Sequence, residues 1–212
     1  MKQFFIKSIN SLVKMDDYIE EISIEDSANY RNIYFKLLDE IIYSENNNVI
    51  DIEKKGLIIR NPLDLNLNEK KLINALYKEL NHSLNDVNKL IFNEIESKLM
   101  ELVDYLSSDF DYSIDYNNEI DINKLFSSID VRFNEIEFDN YLEMLVQFIK
   151  IYNSVLSIKC VVSFGLFSIL SKNEIELLKK EIKSMDLTLL NFECKSKTNV
   201  KSLIVDSDYC II

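Results

Sequence analysis

Apolar residues recur along this chain at two spacings, and each change of spacing marks an element boundary. From Tyr18 to Ile24 they alternate as in a strand. Residues 27–43 then carry Tyr30, Ile33, Tyr34, Leu37, Leu38, Ile41 and Ile42, the i, i+3, i+4, i+7 pattern of a helix face. Ile50-Asp51-Ile52 and Leu57-Ile58-Ile59 predict two short strands, and Asn61-Pro62 a turn. A helix is expected over 68–80, burying Leu72, Ile73, Leu76, Tyr77 and Leu80. A longer one over 85–106 places Val87, Leu90, Ile91, Ile95, Leu99, Leu102, Val103 and Leu106 on an inner stripe. Two such helices in succession predict a protruding helical hairpin.

A polar, acidic connection fills 107–121, and a further helix over 138–156 turns Phe138, Tyr141, Leu142, Leu145, Phe148, Ile149, Tyr152 and Val155 inward. Ile158 to Val162 predicts a strand. Ser171-Lys172-Asn173-Glu174 has the form of a capping box and opens a helix with Ile175, Leu178, Ile182 and Met185 on one face. Leu187 to Leu190 and the closing Tyr209 to Ile212 predict two more strands. Strand, helix, strand in this order implies a parallel pair with a right-handed crossover. The fold class expected is therefore α/β, with a head from residues 1–66 and 157–212 and a mainly helical leg from 67–156.

Composition narrows this picture. Two glycines and one proline in 212 residues leave few breakers, so helices should be long and connections short. No run of about 18 apolar residues occurs, which argues against a transmembrane helix and for no membrane partner. Lys7 and Lys14 interrupt the apolar start, so a signal peptide is not expected. Cys160, Cys194 and Cys210 form no Cys-x-x-Cys pair and His82 is the sole histidine, which removes the usual zinc sets and points to a reducing, cytoplasmic setting. The cysteines sit in apolar stretches and read as buried small hydrophobes. The charge, 24 Lys and Arg against 36 Asp and Glu, weighs against nucleic-acid binding unless cations gather on one face of an assembly.

Most catalytic chemistries fail on this sequence. Gly56 and Gly165 are its only glycines and neither precedes Lys-Ser or Lys-Thr, so it has no phosphate loop and no expected ATP hydrolysis. Ser163-Phe164-Gly165 falls at a strand end, where α/β folds bind ligands, but a lone glycine reads as a structural turn. His82 lies at a junction between two helices and reads as an exposed turn residue rather than a catalytic base. Asp104, Asp109, Asp111, Asp115, Glu119 and Asp121 crowd one segment and could offer oxygens to a hard cation. Counted from Asp109 or Asp115, it lacks the glycine and glutamate of an EF-hand; a solvated acidic loop is the plainer reading. The same cluster leaves a metal-dependent nuclease open as an enzyme alternative. Among the cations, the pairs Lys70-Lys71 and Lys179-Lys180 fall on helices as solvated faces. Lys54, Lys55, Lys195 and Lys197 fall in predicted loops that can present charge to a duplex. A protein-interaction module without DNA contact is a third reading.

From Tyr105 to Ile212 the order of features resembles the type II-A CRISPR-associated spacer-acquisition accessory proteins, the Csn-two family. The resemblance is carried by Ile114-Asp115-Tyr116 before an acidic turn, Ile122-Asn123-Lys124-Leu125-Phe126 as a short helix, and Ile129-Asp130-Val131-Arg132-Phe133 in place of a strand. The stretch Leu142 to Lys150, the Cys160-Val161-Val162 strand, Leu170 to Ile175 and the ending Asp206 to Ile212 continue it. Ile24-Glu25-Asp26 and Pro62 to Asn66 extend it more loosely toward the N-terminus. The resemblance implies a degenerate P-loop-NTPase-like head sheet without its phosphate loop, and a helical leg insertion. It further implies a homotetrameric ring, without catalytic activity, that holds double-stranded DNA ends regardless of sequence. Calcium would be the cofactor, bound by acidic residues; Asp111, Asp115, Glu119 and Asp121 are the positions expected here, with Asn117 and Asn118 standing where acids are expected. DNA contact falls to exposed lysines, here Lys54, Lys55, Lys195 and Lys197. The implied partners are the CRISPR integrase pair and the RNA-guided nuclease of the same locus. Asp130 stands where the family has a glycine, a position that Asp can fill because it tolerates positive φ.

Overall fold

The structure, a computed structural model, describes residues 1–117, 119–135, 137–194 and 202–211. The chain divides into two compact units, one of Met1–Asn66 with Glu135–Ile212 and one of Leu67–Asn134.

The first unit is built on a five-stranded sheet of β3 (Ile19–Ile24), β6 (Gly56–Ile59), β7 (Cys160–Phe164), β8 (Thr188–Cys194) and β9 (Ser202–Val205). Its spatial order is β6-β7-β8-β3-β9, and every neighbouring pair is parallel. Parallel strands buried on both faces need near-continuous apolar runs, and β7 is buried at every position. Beside it stands an antiparallel sheet in the order β2-β1-β4-β5, formed by β1 (Lys2–Ile6), β2 (Ser11–Lys14), β4 (Ile41–Glu45) and β5 (Asn48–Ile50). Asn46 and Asn47, both at positive φ, turn the chain between β4 and β5, a conformation that asparagine accepts readily.

Side-chain alternation sorts the parallel sheet into two faces. Ile22, Ile24, Cys160, Val162, Phe164, Leu190 and Phe192 join Phe4, Ile6, Ile41 and Tyr43 of the small sheet in one core. On the opposite face, Val161 and Leu189 are fully buried. The helices α7 (Tyr141–Leu156) and α8 (Lys172–Ser184) contact each other, and α8 contacts β8; they bury Leu145, Phe148, Ile149, Leu178 and Ile182. The helix α7, which the sequence pattern assigns to the leg, therefore belongs to the unit of the parallel sheet, because its apolar stripe is consumed there. At the start of α8 the capping box forms: Ser171 Oγ accepts from the Glu174 N–H at 3.3 Å, and Glu174 Oε2 accepts from the Ser171 N–H at 2.7 Å. Ser171→Ala is expected to lower stability by about 1 kcal/mol, with Ser171→Asp recovering most of it, as read by urea denaturation.

Several boundaries differ from the sequence pattern. The helical run after residue 27 breaks into α1 (Ser27–Phe35) and α2 (Leu37–Glu40), and Ile41 and Ile42 pass into β4. Ile52 opens a one-turn helix, α3 (Ile52–Lys55), because the Asp51 carboxylate accepts from the N–H groups of Glu53 and Lys54. Among the described residues the last strand is β9; of the expected closing strand over 209–212, Ile211 makes an isolated bridge to Val205, and Ile212 lies outside the described residues.

The second unit holds α4 (Lys70–His82), α5 (Asp86–Ser107) and α6 (Ile122–Ser128). Here α4 packs on α6, with Tyr77 and Phe126 at a ring separation of 5.7 Å, and Leu72 is fully buried. The Tyr77 hydroxyl donates to the Val131 carbonyl at 3.1 Å. The Asn68 amide both accepts from and donates to the Phe133 backbone, fixing 129–133 as an irregular segment rather than a strand. Asp130 takes φ 54°, the left-handed conformation expected of a residue in a glycine's place. The expected pairing of α4 with α5 gives way to packing of α4 on α6.

Candidate functional site

Three features carry chemistry: a buried polar cluster at the strand ends, the acidic segment, and the long helix α5. The cluster gathers around the loop that follows β7. Gly165, at φ 69°, turns the chain out of the strand into a 3-10 turn at Phe167–Ile169 before α8 begins. From the adjacent β8, Asn191 and Glu193 project onto the helix-covered face of the sheet and are buried. Asn191 Oδ1 accepts from Ser163 Oγ at 2.8 Å and from the Leu166 N–H at 3.2 Å. Glu193 Oε1 accepts from the Ser168 N–H at 3.1 Å and from Asn191 Nδ2 at 2.8 Å, while Oε2 accepts from Ser168 Oγ at 2.6 Å. The Gly165 N–H donates to the Phe192 carbonyl at 2.8 Å. The phenol of Tyr30 is pushed up to about 12, first by burial and then by the negative charge of Glu193. Sequence reasoning singles out Ser163 and Gly165 but misses Asn191 and Glu193. Their signal is two polar residues alternating with apolar ones within a strand that is otherwise hydrophobic on both faces.

The acidic segment is spread out rather than convergent. Asp104 is not in the connection: it lies in the last turns of α5, where its carboxylate accepts from the Tyr116 hydroxyl, and that bond raises the phenol. Asp121 is the N-cap of α6 and accepts from the Asn123 N–H at 2.9 Å. Asp111, Asp115 and Glu119 are exposed, and the Glu119 N–H donates to the Asn117 side chain at 3.3 Å. Among the described residues, no group of three His, Cys, Asp or Glu side chains is placed to hold a metal.

Of the four expected DNA-contact lysines, Lys54 and Lys55 are exposed but sit on α3 rather than in a loop. Lys54 pairs with Asp51 at 3.4 Å, and Lys55 Nζ donates to the Leu156 carbonyl at 3.1 Å. An exposed pair of that kind is weak, so Lys54 is released readily to another anion. Lys195 and Lys197 lie outside the described residues. His82 ends α4 and is exposed, as a turn residue would be.

The helix α5 is the least expected feature. It runs 22 residues without one buried position. Val87, Leu90, Ile91, Leu102 and Leu106, the stripe read from sequence as an inner face, are all exposed. Ile91, Ile95, Leu99 and Leu102, with Glu94 and Lys98, line a shallow apolar groove on it. No helix is long and apolar enough to cross a membrane among the described residues.

The family model described as CRISPR-associated protein (Cas_Csn2) matches residues 33–209. No curated protein matches the chain.

Proposed function

Because this chain belongs to the Cas_Csn2 family of CRISPR-associated proteins, we propose that it is a non-catalytic ring of four copies that holds double-stranded DNA ends, without sequence preference, during spacer acquisition. Membership in the family implies a role in CRISPR adaptation and partners from the same locus. In the proposal those partners are the integrase pair and the RNA-guided nuclease, the setting is the cytoplasm, and the parallel head sheet is a degenerate relative of P-loop NTPase sheets.

The observation that carries the reading is the family match across 33–209. The exposed stripe of α5 supports assembly, since an apolar helix face left exposed among the described residues calls for a second copy or another partner. Contacts to DNA would be made by Lys54 and Lys55, with Lys195 and Lys197, as point charges to phosphates. Binding of this kind ignores sequence and weakens steeply with salt. Calcium belongs to the proposal through the family likeness. The described acidic side chains of one copy do not by themselves fit a calcium cage, since none of Asp111, Asp115, Glu119 and Asp121 is gathered with two others.

Gel-shift of linear against covalently closed duplex, with calcium and then with chelator, tests it. Binding of the linear form alone, lost on chelation, is the expected result. Equal binding of both forms would overturn the ring. Degradation of linear DNA in magnesium or manganese would replace the scaffold with a nuclease.

A further inference from the structure

The loop between β7 and α8 has the layout of an anion site. It leaves the carboxyl end of a parallel strand, turns through a positive-φ glycine, and points backbone N–H groups inward before a helix starts. In α/β proteins that layout receives the oxygens of phosphates and carboxylates, because the N–H groups there lack partners along the chain. Here the acceptors are supplied by β8. The Leu166 N–H is taken by Asn191, and the Ser168 N–H and hydroxyl by Glu193. The start of α8 is likewise closed, since Ser171 and Glu174 satisfy each other's N–H groups.

Glu193 is only 2% exposed. A carboxylate so buried is costly unless hydrogen bonds compensate its charge, and three donors converge on this one. Those donors are also the groups that an incoming oxyanion would need. The carboxylate and the loop therefore satisfy each other, and an external anion could enter only by displacing a covalently tethered one.

We propose that Glu193 is a built-in anion: its carboxylate fills the oxyanion position of the 165–168 loop, so the loop refuses nucleotides and inorganic phosphate until that carboxylate is removed. The inference concerns the head alone and stands or falls independently of DNA-end binding.

The first measurement uses the unaltered chain. Titrated with magnesium-ATP or inorganic phosphate at millimolar concentration, the amide resonances of Gly165, Leu166 and Ser168 should stay in place; movement of these three would overturn the proposal. The second uses Glu193→Ala, with formate or phosphate compared against chloride at equal ionic strength. In chloride its thermal midpoint should fall by several degrees. Formate or phosphate should raise it more than either raises the unaltered chain, whose own response measures general salt effects. No excess recovery in either anion would show that the loop has no anion preference and would overturn the proposal. If Glu193→Ala does not fold in chloride, recovery of its circular dichroism in formate is the supporting result, and continued unfolding the opposing one. Glu193→Gln keeps the size but removes the charge, and should lose stability without gaining a response to either anion.

Discussion

If copies assemble as proposed, Leu99→Glu is expected to break that assembly into smaller species while each chain stays folded. Helix α5 has no buried residue, and Leu99 is 37% exposed, so the substitution removes little packing within the chain. In the assembly the same position would lie in the seam between copies. Each aliphatic side chain covered there contributes about 1.5–3 kcal/mol, and several are available: Val87, Ile91, Leu102 and Leu106 all lie on the stripe. The stripe is also close to a palindrome. A two-fold axis through the middle of α5 sets Val87 against Leu106 and Ile91 against Leu102 of a second copy, with Glu94 within a turn of its Lys98. An isologous contact uses every substitution twice, so two glutamates would enter one apolar seam and lose solvation together. Sedimentation velocity should show the loss of mass, and the thermal midpoint of the diluted chain should change by no more than a surface substitution allows. An unchanged mass would mean that α5 is covered by something other than a second copy. In the proposed ring, binding of DNA ends should fall along with assembly, because a ring with a missing contact does not close.

Legibility in the sequence follows the range of the interactions involved. Elements marked by their own apolar pattern or cap are readable: β3, β6, α4, α5, α7 and the capping box that opens α8 all form near their expected places. Elements with a weak local pattern, whose place is set by pairing, are not. The hairpin β1–β2 is held by register with β4, as in the pairing of Phe4 with Tyr43, and nothing local in Met1 to Lys14 announces it. For the same reason Ile41 and Ile42 look helical: their spacing fits a helix, but β1 recruits them into a strand. The stripe on α5 is real as a pattern but is not an inner face, because periodicity reports that a face will be covered and not by which chain. Glu193 escapes notice for a further reason. Its meaning lies in the Ser168 N–H and hydroxyl, 25 residues earlier in sequence. Lys54 and Lys55 are recognisable as exposed cations, while their helical setting depends on the short-range cap from Asp51. The acidic segment shows the opposite failure: clustering in sequence suggests convergence, but Asp104 and Asp121 are each engaged locally, with a phenol and a helix N-terminus.

The cysteines, which the sequence pattern presents alike as buried hydrophobes, should separate by orders of magnitude in reactivity. Cys160 is fully buried in β7 between β6 and β8, and burial pushes its thiol up from an ordinary 9 to about 12. Cys194 is half-buried and Cys210 exposed. The thiolate is the reactive form, so a thiol raised from 9 to about 12 loses roughly a thousandfold of reactivity before steric protection is counted. Treated with a thiol reagent at mildly alkaline pH, the native chain should modify first at Cys210. Cys160 should react only as the parallel sheet opens, and peptide mapping over time distinguishes them. The high thiol pKa also has a consequence for stability. The unfolded thiol ionises near its ordinary value while the folded one stays protonated, so over that interval the native state holds the extra proton. Stability contributed by the neutral thiol is therefore complete below pH 9 and declines as pH rises toward 12. Cys160→Ala should flatten that part of the alkaline limb, although Tyr30 and Tyr141, whose phenols burial also raises to about 12, keep a slope above pH 10. Modification of Cys160 at the rate of Cys210 would mean that β7 opens without global unfolding. The 165–168 loop, which follows that strand and bonds Glu193 of β8, would then open with it.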